Sequence, residues 1–254
     1  MLIRADNDSF ERIKSFCNSS LGTRISCYAQ CYGFDRDFVE FWVSVNDKDI
    51  DAVIMRFYDS ITITAKNCKS IDDLIVLTDM LACSEVVADV DLSFNTYVLN
   101  AKKTAYVFVG NTAEFPCDDV PEESIKSMYR LISESIPGSF SDDEDSYLSF
   151  LSDFIFRKMR FAARAKGVFQ DNELISCALT SAETENSSLL SGVACIKTKR
   201  QQGAGKRVVL SLANELQSEN KKVYVIALNE SAKGFYEHIG FKEFEKIYYF
   251  GRKN

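Results

Sequence analysis

Apolar residues alternate over residues 38–45, where Val39, Phe41, Val43 and Val45 share one side, the pattern of a strand with one buried face. Past the turn Asn46-Asp47-Lys48-Asp49, residues 50–58 and 61–65 continue as strands. Residues 9–17 read as a helix, and another starts at Ser70, with Asp73 three residues on as a capping-box variant. Residues 85–90 are again strand-like. After residue 120 the signals sharpen. Residues 121–136 form a helix opened by proline, and residues 146–161 a second. Residues 163–170 and 174–184 make a hairpin turning at Asp171-Asn172, and residues 187–196 add a third strand. Val208, Val209, Leu212, Ala213 and Leu216 fall on one face of the following helix. The unbroken apolar run 223–228 is the mark of a strand covered on both faces. A short helix over 232–239 ends at Gly240, where a left-handed cap is expected, and residues 241–250 close as a strand.

Two halves thus repeat one order: helix, three strands, helix, strand. All three prolines (116, 121 and 137) lie between them, beside the acidic run Asp142-Asp143-Glu144-Asp145. With residues 104–109 as the first strand of the second half, the chain divides into an α/β domain over 1–100 and a second over 104–254. The order is compatible with an internal duplication. In the first half, however, Lys66-Asn67-Cys68-Lys69 stands between third strand and helix and contains no glycine.

Composition narrows the class. At 46% hydrophobic and 26% charged the chain is globular, not disordered. No apolar run approaches the ~20 residues of a membrane helix, and the first residues turn charged too early for a signal peptide. Eight cysteines include no Cys-x-x-Cys pair, and one histidine, His238, is too few for a His-rich metal centre. No metal site is expected, and the cysteines read as reduced thiols in a cytoplasmic protein. The net charge of −7 disfavours nucleic acid as a partner. It is uneven: residues 197–254 hold 12 Lys/Arg against 6 Asp/Glu, a net of +6, which leaves −13 on residues 1–196.

The basic region contains the chemistry. Arg200-Gln201-Gln202-Gly203-Ala204-Gly205 follows a strand and opens a helix, whose first N–H groups lack internal partners and carry partial positive charge. Glycines there let a backbone approach an anion, and Lys197, Lys199, Arg200, Lys206 and Arg207 add full charges. A tight turn in a solvated basic patch would use the same residues. The glycine spacing fits neither a P-loop nor a dinucleotide-binding loop, since Arg207 replaces the Ser/Thr of the first and the third glycine of the second is missing.

The arrangement resembles the GNAT family of acyl-CoA N-acyltransferases. Their Arg/Gln-x-x-Gly-x-Gly/Ala signature is matched by Arg200, Gly203 and Gly205, and a second signature by Asn229, Tyr236 and Gly240-Phe241. The resemblance covers residues 104–254, and the strand order hints at a degenerate GNAT-like copy in 1–100. It implies an α/β (α+β) fold: a central mixed, mostly antiparallel sheet flanked by helices, preceded by a smaller α/β domain of similar strand order. It also implies acetyl-CoA as cosubstrate and direct transfer to a small-molecule or peptide amine, in a monomer or homodimer. Val193, Ala194 and Cys195 would lend a strand edge to the pantetheine arm. Arg200, Gln201, Gln202, Gly203, Ala204, Gly205 and Lys206 would hold the pyrophosphate. Asn229 would bond the pantetheine or thioester end, and Tyr236 would be the general acid. Lys197 stands where the family commonly has proline. No general base is visible: residues 187–196 contain no acid, and Glu183 and Glu185 lie at the hairpin tip. The competing reading is a catalytically silent CoA-binding regulatory or interaction module.

Overall fold

The computed structural model describes residues 1–46, 49–110, 115–136 and 138–253, so the expected turn at 46–49 and Pro137 lie partly or wholly outside the described residues. The chain is a mixed α/β protein whose antiparallel strands outnumber the parallel ones. It divides into two compact units. The first comprises Met1–Tyr106, Ile226–Lys233 and Glu243–Asn254; the second comprises Val107–Val225 and Gly234–Lys242.

In chain order the first half contains β1 (Leu2–Arg4), α1 (Phe10–Phe16), α2 (Ser20–Tyr32), β2 (Val39–Asn46), β3 (Asp49–Phe57) and β4 (Ser60–Ala65), then α3 (Ile71–Leu81), β5 (Glu85–Ala88) and β6 (Tyr97–Phe108). The remainder contains β7 (Asp118–Asp119), α4 (Ile125–Ser135), α5 (Glu144–Lys158), β8 (Ala165–Gln170), β9 (Glu173–Glu183) and β10 (Ser187–Cys195), then α6 (Ala204–Ser218), β11 (Lys222–Ala227), α7 (Glu230–His238) and β12 (Phe241–Arg252).

The sheet of the first unit runs β1-β2-β3-β4-β5-β12-β6. Neighbours from β1 to β4 are antiparallel, β4 and β5 are parallel, and β12 lies antiparallel to β5. One face carries a core of Ile54, Ile61, Ile63, Leu74, Val86 and Phe250. The expected alternation in β2 is realised, with Val39, Phe41 and Val43 buried. Helix α2, which the apolar pattern did not reveal, is buried nearly all round, including Ser20, Gly22, Thr23, Ser26 and Cys27. Such a helix has no polar face and therefore no amphipathic period. The capping box expected at Ser70 is not formed; the Ser70 hydroxyl accepts from the Met1 amino group instead.

The second unit orders its strands β11-β10-β9-β8-β7. The hairpin of β8 and β9 turns through Asp171 (φ 52°) and Asn172 (φ 65°), the left-handed pair that a two-residue hairpin requires. Helices α4 and α5 pack on one face, where Met128, Ile132 and Phe154 meet Cys177, Leu179 and Ala194. On the other face α6 buries Val208, Val209, Leu212, Ala213 and Leu216.

A charged network ties α6 to this sheet. Arg164 pairs with Glu183 of β9 and with Glu215 (2.5 Å) and Glu219 (2.7 Å) of α6. Lys221 reaches Glu183 at 2.6 Å and Glu219 at 2.8 Å. The Glu183 side chain is fully buried, so the network compensates a charge that water cannot reach. Removing it as Glu183→Ala, which strands Arg164 and Lys221, is expected to cost about 3–5 kcal/mol in urea denaturation, and Glu183→Gln less. Hydrogen bonds from Arg164 outweigh burial and push the Glu219 carboxyl down to about 2. A depressed folded-state pKa stabilises above the unfolded value and is lost on acidification. Urea midpoints should therefore fall as pH drops from about 4.5 toward about 2, and a Glu219→Gln variant should lose that part of the pH dependence.

Candidate functional site

Strands β10 and β11 run parallel through four register pairs, Ser187↔Lys222 to Leu190↔Val225, and no pair follows. Beyond Leu190 a bulge between Ser191 and Ala194 turns β10, and Gly192 adopts φ 56° within it. A Cβ at Gly192 would meet Ile132 Cδ1 at 2.8 Å, so both conformation and space require glycine. A bulge re-aims a strand. Val193 lies in the bulge, and Ala194 and Cys195 remain paired with β9 on one side, Ala194 opposite Cys177 and Cys195 opposite Ser176. On the β11 side their edge has no register partner. Gly192 escaped the sequence reading, although a lone glycine inside a strand pattern is the signal for such a bulge.

The loop after β10 is fixed from within. The Arg200 guanidinium donates from Nε to the Cys195 carbonyl at 3.2 Å, and Gln202 Nε2 donates to the Thr198 carbonyl at 3.3 Å. Gln201 (φ 62°) and Gly203 (φ 86°) are both left-handed, which folds the chain back into the start of α6. Among the described residues, no acceptor engages the amides of Gly203, Ala204 and Gly205. A Cβ at Gly203 would meet nothing within 4 Å, and one at Gly205 only the Phe235 ring at 3.9 Å. Donors at a helix start, bare of side chains, suit an anion.

A cavity of about 390 Å³ adjoins these amides, lined by Phe115, Val168, Ile175, Lys199 and Lys206 among others. Lys206 Nζ lies 5.9 Å from the centre of the Phe115 ring. Arg207 is committed elsewhere, with Nε and an Nη donating to the Pro116 carbonyl at 2.9 and 2.7 Å. Of the five expected cations, Arg200 and Arg207 thus fasten backbone. Phe115 was not foreseen as a lining residue; nothing in its sequence context ties it to the glycine loop.

Asn229 and Tyr236 sit on α7 and its approach. The Asn229 side-chain carbonyl accepts from the Ala232 amide at 2.9 Å, capping the helix, which leaves its Nδ2 amide as the donor for a ligand. Tyr236 is only 6% exposed and is the buried residue of α7, and Ile239 just beyond the helix is buried as well. The Tyr236 ring packs edge-on against Phe235 and Phe241, with centroids 5.3 and 5.5 Å away. The reason is brevity: Gly240 (φ 101°) turns the chain at once into β12 and brings Phe241 over Tyr236. Burial pushes the phenol well above its ordinary pKa. His238 is exposed. Burial likewise raises the Cys195 thiol, which makes it a poor nucleophile. Glu183 is locked into its ion pairs, and no acid stands on β10.

Residues 166–250 match the family model of FR47-like proteins. No curated protein sequence matches the chain. Among solved structures, an acetyltransferase of the GNAT family from Colwellia psychrerythraea is similar over 100% of both chains, at 12% identity and TM-score 0.60. A tandem GNAT protein from the clavulanic acid biosynthesis pathway matches over 100% of this chain and 99% of its own, at 11% identity and TM-score 0.57. A GNAT-family acetyltransferase from Novosphingobium aromaticivorans covers 79% of this chain and 89% of its own, at 16% identity and TM-score 0.57.

The two glycines differ in what they need, and substitution should separate them. Gly203→Ala forces a left-handed alanine and should cost about 1–2 kcal/mol in chemical denaturation. Gly205→Ala, in open space at the helix start, should leave stability unchanged or slightly raised.

Proposed function

We propose that this chain, which has the fold of the GNAT acetyltransferases, transfers an acetyl group from acetyl-CoA to a primary amine in its second unit. One observation carries the reading: among the described residues, no acceptor engages the amides of Gly203, Ala204 and Gly205, at a helix start beside Lys199 and Lys206. That donor set fits a pyrophosphate in chemistry and in space, because no side chain blocks approach to Gly203. The β10 edge at Val193–Cys195 would receive the pantetheine amides as an added strand. Gln201, Gln202 and Arg200 shape the loop that does this.

In the reaction the neutral amine attacks the thioester carbonyl, a C–N bond forms and the C–S bond breaks. The departing thiolate takes the Tyr236 proton, the amine gives its extra proton to water, and water returns one proton to Tyr236 to close the cycle. Burial raises the Tyr236 phenol above its ordinary value, so it holds the proton for this transfer but gives it up less readily than a solvated tyrosine. It has no need of a neighbouring base. The −13 carried by residues 1–196 supports a cationic acceptor such as an amine metabolite, polyamine or peptide N-terminus. None of the eight cysteines is in a disulfide, which supports a reducing, cytoplasmic setting. No helix among the described residues is long and apolar enough to cross a membrane. The absence of an acid on β10 favours one alternative, a CoA-binding module without catalysis. Release of CoA from acetyl-CoA across a panel of amines separates the two.

Two variants test the assignment. Gly205→Val should abolish CoA binding in calorimetric titration while the melting temperature stays near that of the parent; retained affinity would remove the loop from the site. Tyr236→Phe keeps the ring and loses the proton donor, so kcat should fall roughly 10²–10⁴-fold with CoA affinity barely changed. Parent-like turnover would reduce Tyr236 to packing.

A further inference from the structure

The first unit repeats the forked strand pair of the second. Strands β4 and β5 run parallel through four register pairs, Ser60↔Glu85 to Ile63↔Ala88, and then part. As in β10, the strand leads through a loop into a helix, here residues 66–70 and α3. The counterpart of the glycine loop is therefore Lys66–Ser70, and that of the freed strand edge begins at Ala65.

At both places the chain supplies its own acceptor. Beyond the fork, Asp89 Oδ1 accepts from the Ala65 amide at 3.0 Å. Its Oδ2 accepts from Thr64 Oγ1 at 2.5 Å and from Ser19 Oγ at 3.1 Å. In the loop, the Lys69 amide donates to Asp51 Oδ2 at 3.1 Å. Asp51 is only 8% exposed, and its carboxyl also faces Ser44 and Cys68. The hydrogen bonds from Ser44 and Lys69 overcome burial and hold Asp51 below the usual carboxylate range. The charge at the helix start is reversed as well. The first turn of α3 carries Asp72 and Asp73, which repel an anion, where α6 carries Lys206 and Arg207.

We propose that the first unit is a self-liganded copy of the cofactor arrangement: Asp51 takes the Lys69 amide, which stands one residue before the helix cap as Gln202 does in the second unit, and Asp89 takes the edge that a ligand amide would take. Naming the displaced ligand rests on the proposed function of the second unit, whereas the internal ligation stands on these hydrogen bonds alone. The missing glycine in Lys66–Lys69 follows from it. No foreign group has to reach this backbone, so side chains cost nothing there. The carboxylates also make the closure specific. Asp89 is held by donors from β4 and from Ser19, the N-cap of α2, whereas Asp51 takes the Lys69 amide on Oδ2 and keeps Oδ1 buried without a donor among the described residues, so neither reads as a solvated acid.

The test is chemical rescue in the full chain. Asp51→Ala leaves a carboxylate-sized hole before the Lys69 amide, and its melting midpoint should drop by about 3–8 °C. Formate should recover at least half of that drop, while chloride at equal ionic strength should not, and the parent should respond to neither. Asp51→Asn and Asp89→Asn, which keep the shape, guard against a variant that fails to fold. Their Lys69 and Ala65 amides respectively should exchange hydrogen about tenfold faster or more than in the parent. Calorimetry on the parent should give one CoA per chain. Absent rescue, unchanged exchange, or a second CoA bound by the parent would each overturn the self-liganded copy. A parent that binds no CoA at all would instead overturn the proposed function, and rescue would still decide this one.

Discussion

Everything distinctive in the molecule depends on one obligation: a backbone N–H taken from its ladder must find another acceptor. Two parallel strand pairs stop bonding after their fourth register pair, β4 with β5 and β10 with β11. Each fork exposes a strand edge, and each first strand leads into a helix whose leading amides lack internal partners. The two forks meet the same debt differently. One bonds to carboxylates of its own unit, and the other keeps its donors open behind glycines. The proposed function rests on the second solution, and the sheets and cores serve to hold it still.

How much of this could be read from the sequence varies with the kind of signal. Strands with one buried face, such as β2, announce themselves by alternation, and the run in β11 by its continuity. The loop at Arg200–Gly205 was legible because glycine and charge are chemically unusual at a helix start. Helix α2 was hidden by the absence of any polar face. The Ser70 box failed because a competing partner, the Met1 amino group, took the hydroxyl. The burial of Tyr236 was not legible, since the pattern along a helix does not reveal what a following strand will cover. Asp51 and Asp89 gave no signal at all. A single buried acid is defined by donors that lie 18–70 residues away.

The charged network of the second unit shows how polar groups can serve precision without serving chemistry. Glu183, set aside as a base for its place at the hairpin tip, has its carboxyl spent on Arg164 and Lys221. Those pairs lock the far end of α6 to β9, opposite the end that presents Gly203. A helix is stiff over this length, so anchoring its last turn restricts the wandering of its first. The cost is that any acid placed there is withdrawn from catalysis, which is consistent with an amine that loses its proton to water.

The closed fork has a consequence for linkage between ligand and stability. A cofactor that binds only the native state raises stability in proportion to the logarithm of its concentration. On the proposed function that gain would accrue at Gly203–Gly205, and none would accrue where Asp51 and Asp89 are permanently at saturating effective concentration. One unit's folding would thus track the cell's acyl-CoA supply while the other's stays indifferent to it. Proteolytic lifetime, which follows the population of opened forms, would then be set by the acyl-CoA-free second unit when cofactor is scarce and by the first when it is plentiful.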